Sequence, residues 1–492
     1  MTTVHSIIPL LACLASLVAV VPIVLFGEKR RNAREASTFL AGFVKFGLVL
    51  SMAPAILSGK VIEFTFVELL PGVALEFRVD GLGLLFALVA SSLWIATSCY
   101  TIGYMRGANE GNQTRFFAFF AVSLFATLGV AFSGNLLTLY LFYEMLSLAT
   151  YPLVTHHQDK EARSGGRTYL TYLLFTSIAF ALPAVVFSYI QSGGNMDFTS
   201  GGFLAGKVDG FTALILLLLF VFGFSKAGVM PFHSWLPNAM VAPTPVSALL
   251  HAVAVVKVGV FCVIRAFTGV LGTDFLQTFD VSLVISWIAA FTVLASSLIA
   301  MSQDNLKRLL AFSTIGQLSY IVLGVSLLTP HAVQGSMLHI PMHAFGKITL
   351  FFCAGAIYVA TKKKYISQLD GLGRAMPWTM GAFAIGAMSV VGLPLTGGLI
   401  SKIYMMWGAA DAQQHALLAV YLVSSVLNGV YFFPIVYRAF FRKPADGVSY
   451  DRVDEAPIAC VLPLTITATG AVLLFFFPDL VFDLTALMIA GR

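Results

Sequence analysis

The sequence predicts an all-α polytopic membrane protein with about 14 transmembrane helices, built as a single membrane domain over residues 1–492. Hydrophobic residues make up 58% of the 492 positions and charged residues only 11%, and the mean hydropathy is +0.89. Soluble domains carry about 25% charged residues. Apolar runs that are long enough to cross a bilayer as helices recur along the whole chain. No hydrophilic stretch is long enough to form a soluble domain.

The apolar runs predict fourteen spans, at residues 4–26, 36–58, 79–103, 115–133, 135–154, 167–190, 210–240, 243–269, 281–301, 309–328, 334–360, 378–410, 414–441 and 457–487. The first run is of spanning length and is followed by Lys29, Arg30 and Arg31. We therefore expect a retained first helix and not a cleaved signal peptide.

Basic residues are distributed unequally between the two sides of these spans. With both termini outside, 18 of the 29 Lys and Arg residues lie in inside loops and 4 in outside segments. The inside set is Lys29, Arg30, Arg31, Arg34, Arg106, Arg115, Lys160, Arg163, Arg167, Lys307, Arg308, Lys362, Lys363, Lys364, Arg374, Arg442, Lys443 and Arg452, and the outside set is Lys60, Arg78, Lys207 and Arg492. The positive-inside rule thus favours fourteen spans with both termini outside.

The net charge of +6 follows from these orienting loops. No basic patch with interleaved aromatic residues lies outside the membrane, so nucleic-acid binding is excluded. The five cysteines are Cys13, Cys99, Cys262, Cys353 and Cys460, and all fall in apolar spans without CxxC spacing. We interpret them as small buried hydrophobic residues, with neither a disulfide framework nor a metal site.

Seven basic residues remain within the spans. Two of them, Arg265 and Arg438, lie near helix ends, where their side chains can reach the membrane surface. Lys45 lies in mid-span without other polar residues nearby. The four deep lysines are Lys226, Lys257, Lys347 and Lys402. Since a charge at the centre of a bilayer costs roughly 2.5–3.5 kcal/mol or more, each is a candidate functional residue.

Glu144 is the one acidic residue in the middle of a predicted span. A buried carboxylate is protonated or paired with a cation, and Lys226 is the natural partner. Two interpretations are open: a static ion pair that fixes helix packing, and a switchable pair whose strength depends on the next lysine's proton.

Two spans carry a Pro/Gly break beside a lysine. Gly228, Pro231 and Pro237 follow Lys226, and the segment 392–398 precedes Lys402. Broken helices at membrane depth mark ion sites in transporters, because the freed carbonyls need protein or water around them. The breaks lie five spans apart, which predicts two inverted five-helix repeats at residues 115–269 and 281–441.

Histidines accompany two of the deep lysines. His251 precedes Lys257 by six residues, a spacing that does not place them on one helix face. His339, His343 and Lys347 are spaced by four residues and share a face; we call these three residues the His–Lys ladder. Groups that gain and lose protons in series suit a relay. A metal site at His339 and His343 is the alternative, but no third ligand lies nearby.

The motifs around these residues resemble the antiporter-like, proton-translocating membrane subunits of respiratory complex I, group 4 membrane-bound hydrogenases and Mrp-type cation/proton antiporters. The resemblance covers spans 3 to 13. It rests on Phe-Tyr-Glu144-Met-Leu, Lys226-x4-Pro-x-His-x-Trp-Leu-Pro-Asn, Pro-Thr-Pro-Val-Ser-Ala-Leu-Leu-His251, Asp304-Asn-Leu-Lys-Arg-Leu-Leu-Ala-Phe-Ser-Thr-Ile-Gly, His343-Ala-x2-Lys347-x2-Leu-Phe-Phe and Gly397-Gly-Leu-Ile-Ser-Lys402.

The resemblance implies a polar axis at mid-membrane. Glu144 and Lys226 would form the gating pair, Lys257 or Lys347 the central relay, and Lys402 the terminal proton-exchange site. It implies no cofactor or metal, a place among other membrane subunits in a bacterial cytoplasmic membrane, and H⁺ with Na⁺ or K⁺ as transported ions. The chain looks most like the D-type subunit of Mrp antiporters. Complex I subunits with glutamate at the terminal site differ from it, and the long lateral helix of the largest subunits is not expected here.

Four functions remain to be compared. The first is the proton-conducting subunit, in an Mrp-type antiporter or, alternatively, in a complex I-like or hydrogenase-type redox complex. The second is an enzyme that itself handles quinone or nicotinamide, which the lack of a dinucleotide fingerprint disfavours. The third is a vestigial structural subunit, and the fourth is a stand-alone solute carrier.

Overall fold

The computed structural model describes residues 2–249, 253–444, 450 and 453–490. His251, Arg452 and Arg492 of the predictions above lie outside the described residues. Eleven of the described helices are long and apolar enough to cross a membrane, and the shorter apolar helices Gly210–Gly223 and Pro377–Val391 add to them. The predicted class of an all-α polytopic membrane protein is confirmed.

The first half of the chain contains α1 (Ile8–Phe26), α2 (Arg31–Ser51), α3 (Ala53–Leu57), α4 (Gly81–Gly107), α5 (Gln113–Ala131), α6 (Leu136–Val154), α7 (Lys160–Thr176), α8 (Leu182–Ser192), α9 (Gly210–Gly223), α10 (Trp235–Asn238) and α11 (Thr244–Ala248). The second half contains α12 (Val255–Arg265), α13 (Thr273–Gln277), α14 (Ser282–Met301), α15 (Leu306–Ser326), α16 (Pro330–Thr361), α17 (Pro377–Val391), α18 (Gly397–Asp411), α19 (His415–Phe441), α20 (Ile458–Phe476) and α21 (Asp479–Ala490). A π-helical turn, Ser177–Ala181, joins α7 to α8.

A small three-stranded sheet was not predicted. Strand β1 (Thr3–His5) pairs in parallel with β2 (Val61–Leu70), which forms an antiparallel hairpin with β3 (Val73–Val79). The hairpin turn contains Pro71 and Gly72, and Gly72 has a φ of 79°, which glycine adopts without steric cost. The hairpin lies in the predicted outside segment between the second and third spans, up to the first residue of the third, whereas β1 overlaps the start of the first predicted span.

Both predicted breaks are present, and the first lies slightly earlier than predicted. Helix α9 ends at Gly223, so Lys226 already lies in a 3₁₀ turn, Ser225–Ala227, instead of at the end of a helix that breaks after it. Gly223 packs so closely on Ala181 that an added Cβ would lie 2.4 Å from its backbone nitrogen. The second break separates α17 from α18, with Gly392 at a φ of 90°. The fourteenth span is also interrupted, between α20 and α21.

Helices α15 and α16 form the centre of the bundle. Every residue of α15 from Leu309 to Ser326 is buried, and α16 is buried over most of its length. The outer helices carry exposed apolar side chains, among them Leu25, Phe43, Phe291, Val426 and Phe441. These surfaces suit lipid or neighbouring membrane proteins.

Helices α6 and α15 begin in the same way. The side chains of Asn135 and Asn305 cap them by accepting a hydrogen bond from the backbone N–H three residues later, at 2.9 and 3.1 Å. Each asparagine also forms an isolated antiparallel bridge, Asn135 with Asp197 and Asn305 with Tyr365. In both cases the bridge partner follows the next long helical segment.

Two arginines that were predicted to face water are buried. Arg265 is 4% exposed and forms a bidentate ion pair with Asp80, at 2.6 and 2.7 Å, instead of reaching the membrane surface. Arg34 is fully buried in the first turn of α2, where Glu28 and Gln113 accept its hydrogen bonds. Arg438, as predicted for a residue near a helix end, is partly exposed and pairs with Asp370 at 2.6 Å.

Candidate functional site

Lys226 is completely buried. Its Nζ donates hydrogen bonds to the Tyr143 carbonyl oxygen at 2.8 Å and to the Ser147 Oγ at 2.6 Å, both on α6. It also lies 3.1 Å from the centre of the Tyr143 ring, a position in which the ring face attracts a cation. The ammonium group is therefore held by neutral dipoles and an aromatic face.

Glu144 lies on the same helix but points elsewhere. It is half-buried on a face of α6 with the exposed residues Leu141, Met145 and Leu148, and its carboxylate accepts a short hydrogen bond from the Ser177 hydroxyl in the π-helical turn. Glu144 and Lys226 do not form an ion pair within 4.0 Å. The direct partnership expected from the sequence is absent because Lys226 packs on the inner side of α6, whereas Glu144 faces outward.

Lys257 and His343 meet at the centre of the bundle. Both are buried, and the Lys257 Nζ forms a short hydrogen bond with the His343 Nδ1. This contact joins α12 to α16. Both groups can gain and lose a proton, and two such groups in direct contact suit a proton relay.

The His–Lys ladder lies on one face of α16, as its spacing predicts. The rings of His339 and His343 stack with their centres 5.5 Å apart. One turn further, the Lys347 Nζ donates to the Ser313 Oγ on α15 at 2.6 Å. At the other end of the ladder, the His339 Nδ1 lies 2.8 Å from the Ser401 Oγ on α18, directly before Lys402.

Lys402 is held by the end of a broken helix. Its Nζ donates to the carbonyl oxygens of Val390 and Val391, at 2.8 and 3.0 Å. These acceptors are available because α17 ends at Val391. The Tyr320 ring lies 4.7 Å away, and the Ser425 Oγ lies at 3.3 Å. The pattern repeats that of Lys226: carbonyl and hydroxyl oxygens with a tyrosine ring, at a break.

The backbone also connects Lys226 to the centre. An added Cβ at Gly259 on α12 would lie 2.2 Å from the Lys226 carbonyl carbon, so α12 can approach the 3₁₀ turn only because residue 259 is glycine. Lys257 lies on the same helix. We call the row of Lys226, Lys257, the His–Lys ladder and Lys402 the axis; it runs from the 3₁₀ turn through α12 and α16 to α18.

A polar cavity of about 570 Å³ lies at the end of the bundle at which the basic loops cluster, which is the predicted inner end. Its lining includes Glu110, His157, Lys307 and Thr244. The His157 Nε2 lies 3.1 Å from a Glu110 carboxylate oxygen. From Thr244 the chain enters α11, where Ser247 is fully buried. The cavity therefore approaches the segment that leads to Lys257.

Lys45 is also completely buried but lies outside this axis. Its Nζ donates to the Leu124 carbonyl oxygen at 3.1 Å and lies 5.4 Å from the centre of the Trp94 ring. The sequence indicated no polar neighbour for Lys45, and in the structure its neighbours are a backbone carbonyl oxygen and an indole ring. Lys45 is therefore a buried lysine of α2 that lies away from the ladder.

The model of the NADH:quinone oxidoreductase/Mrp antiporter transmembrane family matches residues 133–428. The chain belongs to this family. The NADH-quinone oxidoreductase subunit N of Desulforudis audaxviator is 31% identical over 95% of this chain and 96% of its own length. The putative antiporter subunit mnhA2 of Staphylococcus haemolyticus is 28% identical over 96% of this chain, and the match spans 62% of that longer protein.

Solved structures show the same antiporter-family fold. A chain of the Mrp complex from Dietzia sp. DQ12-45-1b superposes with a TM-score of 0.85, covering 98% of this chain and 96% of that one at 21% identity. A chain of the archaeal membrane-bound sulfane sulfur reductase complex superposes with a TM-score of 0.86, covering 99% and 97% at 23% identity. At these identities the likeness concerns the fold.

Within this antiporter-family fold, several partners of the deep lysines could not be recognised in the sequence. Ser147 and Ser425, which accept hydrogen bonds from Lys226 and Lys402, lie in none of the quoted motifs. Ser401 lies in the Gly397–Lys402 motif, but its contact with His339 was not predicted. Ser313 had a signal, because it lies in the quoted motif that begins at Asp304. Its Oγ accepts hydrogen bonds from the Lys347 Nζ and from the Tyr431 hydroxyl. His251, the remaining predicted relay residue, lies outside the described residues.

Metal ligation was the alternative for the two ladder histidines. Their Nδ1 atoms are engaged by Ser401 and Lys257. Among the described residues, no three His, Cys, Asp or Glu side chains are grouped so that they could hold a metal ion. A lysine Nζ at hydrogen-bond distance from His343 favours proton exchange over metal binding at this position.

Proposed function

We propose that this antiporter-family subunit conducts protons through the membrane along its buried lysines and histidines, within a complex of several membrane subunits. One observation carries the proposal: the Lys257–His343 contact and the His–Lys ladder join buried lysines on α12, α16 and α18 into one titratable chain. Each of these groups is costly to bury. A structural or vestigial role supplies no reason to align them.

Roles along the axis follow from position. Lys226, at the first break, would control access; Lys257 and His343 would form the central relay with His251, His339 and Lys347; and Lys402, at the second break, would exchange the proton at the far end. The gating role of Glu144 would then act through the field of its charge, since it does not touch Lys226. Its outward-facing position also suits contact with a neighbouring subunit.

We also propose the two inverted repeats, 115–269 and 281–441. The paired asparagine caps, the paired backbone bridges and the two lysine-bearing breaks support them. In this pairing, Lys226 and Lys402 are equivalent, and each lies beside a tyrosine ring.

The complex is proposed to be of the Mrp type, with this chain in the position of the D-type subunit. A second candidate, the membrane subunit of a complex I-like redox complex, is favoured by the near full-length similarity to an NADH-quinone oxidoreductase subunit. Co-purification decides between them. Iron–sulfur or nickel subunits would identify a redox pump, whereas small membrane subunits alone would identify an Mrp-type antiporter that exchanges Na⁺ or K⁺ for H⁺.

Both termini are proposed to lie on the outer side of a bacterial cytoplasmic membrane. The distribution of basic residues supports this orientation. A periplasmic reporter enzyme fused to the C-terminus should be active. If the C-terminal fusion is active only with a reporter that works in the cytoplasm, the orientation is the reverse of the one proposed.

Glu144→Ala should abolish proton transport while the complex still assembles. Glu144→Gln keeps the shape and the contact with Ser177 but removes the charge, so it should fail in the same way if the charge is what matters. Proton flux into liposomes that contain the purified complex measures this. Glu68→Gln, a change at an exposed glutamate of β2, is the control. Transport at the wild-type rate by both Glu144 variants would contradict the gating role.

The inner cavity is proposed as the proton entrance, and its His157–Glu110 pair predicts a pH effect. The hydrogen bond with Glu110 raises the pKa of His157 above its ordinary 6.5. Burial alone would raise the pKa of Glu110, but the hydrogen bond and the charge of His157 lower it overall. The ion pair is thus complete between the lowered pKa of Glu110 and about pH 6.5, and it disappears as the inner pH rises through the raised pKa of His157.

His157→Gln should therefore slow transport most at neutral to alkaline inner pH, where free protons are scarce and a surface group that captures them helps most. At acidic pH the variant should approach the wild-type rate. The measurement is proton flux against inner pH, with the exposed His415 at the opposite end changed to Gln as the control. A uniform decrease at every pH would argue against proton capture by this pair.

A further inference from the structure

The face of α16 that carries the ladder continues to the outer end of the bundle. His331 lies in the first turn of α16, eight residues before His339. This spacing corresponds to about 12 Å along the helix and returns to the same face. The His331 side chain is 38% exposed, so the row of titratable groups runs from the buried Lys347 to the surface, with a gap at Gly335.

His331 is built into a defined group and is not a loose surface side chain. Its Nδ1 lies 2.6 Å from an Asp411 carboxylate oxygen at the end of α18. Its ring stacks on Trp407, with the ring centres 4.5 Å apart and the planes inclined by 4°. An imidazole and a carboxylate at this distance pass a proton between each other and to water. The titratable groups that face His331 are Asp411 and Tyr404, both on α18.

The gap between His331 and His339 is closed by direct contact of α16 with α18. An added Cβ at Gly335 would lie 2.7 Å from the Met405 backbone nitrogen and 2.8 Å from its Cγ. One at Gly408 would lie 2.2 Å from the Ala332 nitrogen. Since the backbones touch at both glycines, the Met405 side chain, itself fully buried, fills the remaining space beside the ladder.

We propose that His331 and Asp411 form the outer proton exit of this subunit, and that the Met405 side chain is the plug that separates this exit from His339 and Lys402. The inference rests on the proposed proton-conducting function and adds the exit to it. Methionine suits a plug because its unbranched chain changes rotamer without moving the backbone. Apolar constrictions of this kind close a path by excluding water.

A second opening near Lys402 is less suitable as a proton exit. A groove of about 920 Å³ on the lateral face includes Gly392 and Ser425, and Ser425 touches the Lys402 Nζ. The rest of its lining is almost entirely apolar, with Leu393, Val426 and Phe433. This groove offers a proton only the hydroxyl groups of Ser425 and Tyr437, whereas the outer ends of α16 and α18 offer an imidazole and a carboxylate in contact.

The test uses the complex purified with its partner subunits, in liposomes that hold a pH-sensitive dye, under an imposed pH difference. His331→Gln and Asp411→Asn should each lower the proton flux at least about tenfold, since they remove a positioned proton-transfer group. Met405→Ala should instead increase the passive proton leak, and Met405→Leu should restore the seal. His415→Gln, at the same end, and Met406→Ala, the next residue of α18, are the controls and should behave like the wild type.

Wild-type flux in both His331→Gln and Asp411→Asn would overturn the exit, and an unchanged leak in Met405→Ala would overturn the plug. Lys402→Ala, measured in parallel, separates this inference from the function on which it rests. If Lys402→Ala also transports normally, the proton-conducting function itself fails. If Lys402→Ala is inactive and the outer variants are normal, only the exit fails. If the complex with Met405→Ala does not assemble, the proton flux of His331→Gln and Asp411→Asn decides on the exit.

Discussion

Lys226→Ala and Lys402→Ala should each abolish proton transport in a complex that still assembles with its partners. Each substitution removes the buried lysine at one of the two lysine-bearing helix breaks, where carbonyl and hydroxyl oxygens hold the ammonium group. A methyl group at either position leaves the axis without a proton carrier. Removing a positioned proton-transfer group costs about 10²–10⁴ in rate, which is below detection in a flux assay.

Lys45→Ala is the matched control for these two variants. Lys45 is equally buried and also donates to a carbonyl oxygen beside an aromatic ring, but it lies on α2, away from the His–Lys ladder. If the burial of the lysine alone determined the effect on transport, all three substitutions would behave alike. We expect transport per assembled complex to survive in Lys45→Ala and to be lost in the other two. Normal transport in Lys226→Ala and Lys402→Ala would refute the proposed function.

Asp80→Ala should destabilise the protein by roughly 3–5 kcal/mol, because it leaves the Arg265 guanidinium buried without its carboxylate. Both oxygens of Asp80 bind Arg265, and one also accepts from the Gly83 N–H to cap α4. The ion pair therefore joins the first turn of α4 to the end of α12. The expected result is a large decrease in thermal stability and in the yield of assembled complex.

Asp209→Ala isolates the capping contribution from that of the ion pair. Asp209 caps α9 through the Thr212 N–H at 2.8 Å but is exposed, so its loss should cost only about 1 kcal/mol. Asp80→Asn, which can still cap, should remain close to Asp80→Ala if the buried charge dominates. Equal effects of Asp80→Ala and Asp209→Ala on the melting temperature would show that the ion pair contributes little.

The features that could be predicted best are those whose energetic cost depends on the local sequence alone. A lysine in an apolar run is expensive wherever the helix packs, and Pro231 or Gly392 interrupts a helix through its own backbone properties. The four deep lysines, the two breaks and the shared face of the ladder could therefore be found without coordinates. The first break lies three residues earlier than predicted, since α9 already ends at Gly223, which packs closely on Ala181.

Features that depend on how helices rotate against each other could not be found in this way. Asp80 lies 185 residues from Arg265, and neither local sequence indicates that the two side chains form an ion pair. The angle of α6 decides that Tyr143 and Ser147, and not Glu144, face Lys226. A single residue's shift around that helix, about 100°, would have exchanged these roles without changing the sequence pattern.

The outward position of Glu144 has a consequence for how the cell makes this subunit. A newly inserted copy without partners presents this carboxyl group, among Leu141, Met145 and Leu148, to the lipid, at a cost of roughly 2.5–3.5 kcal/mol if it is charged. If a neighbouring subunit covers this face, as proposed above, docking removes that cost. We then expect the orphan chain to be less stable than the assembled one and more open to membrane proteases, which would tie its abundance to the supply of its partners.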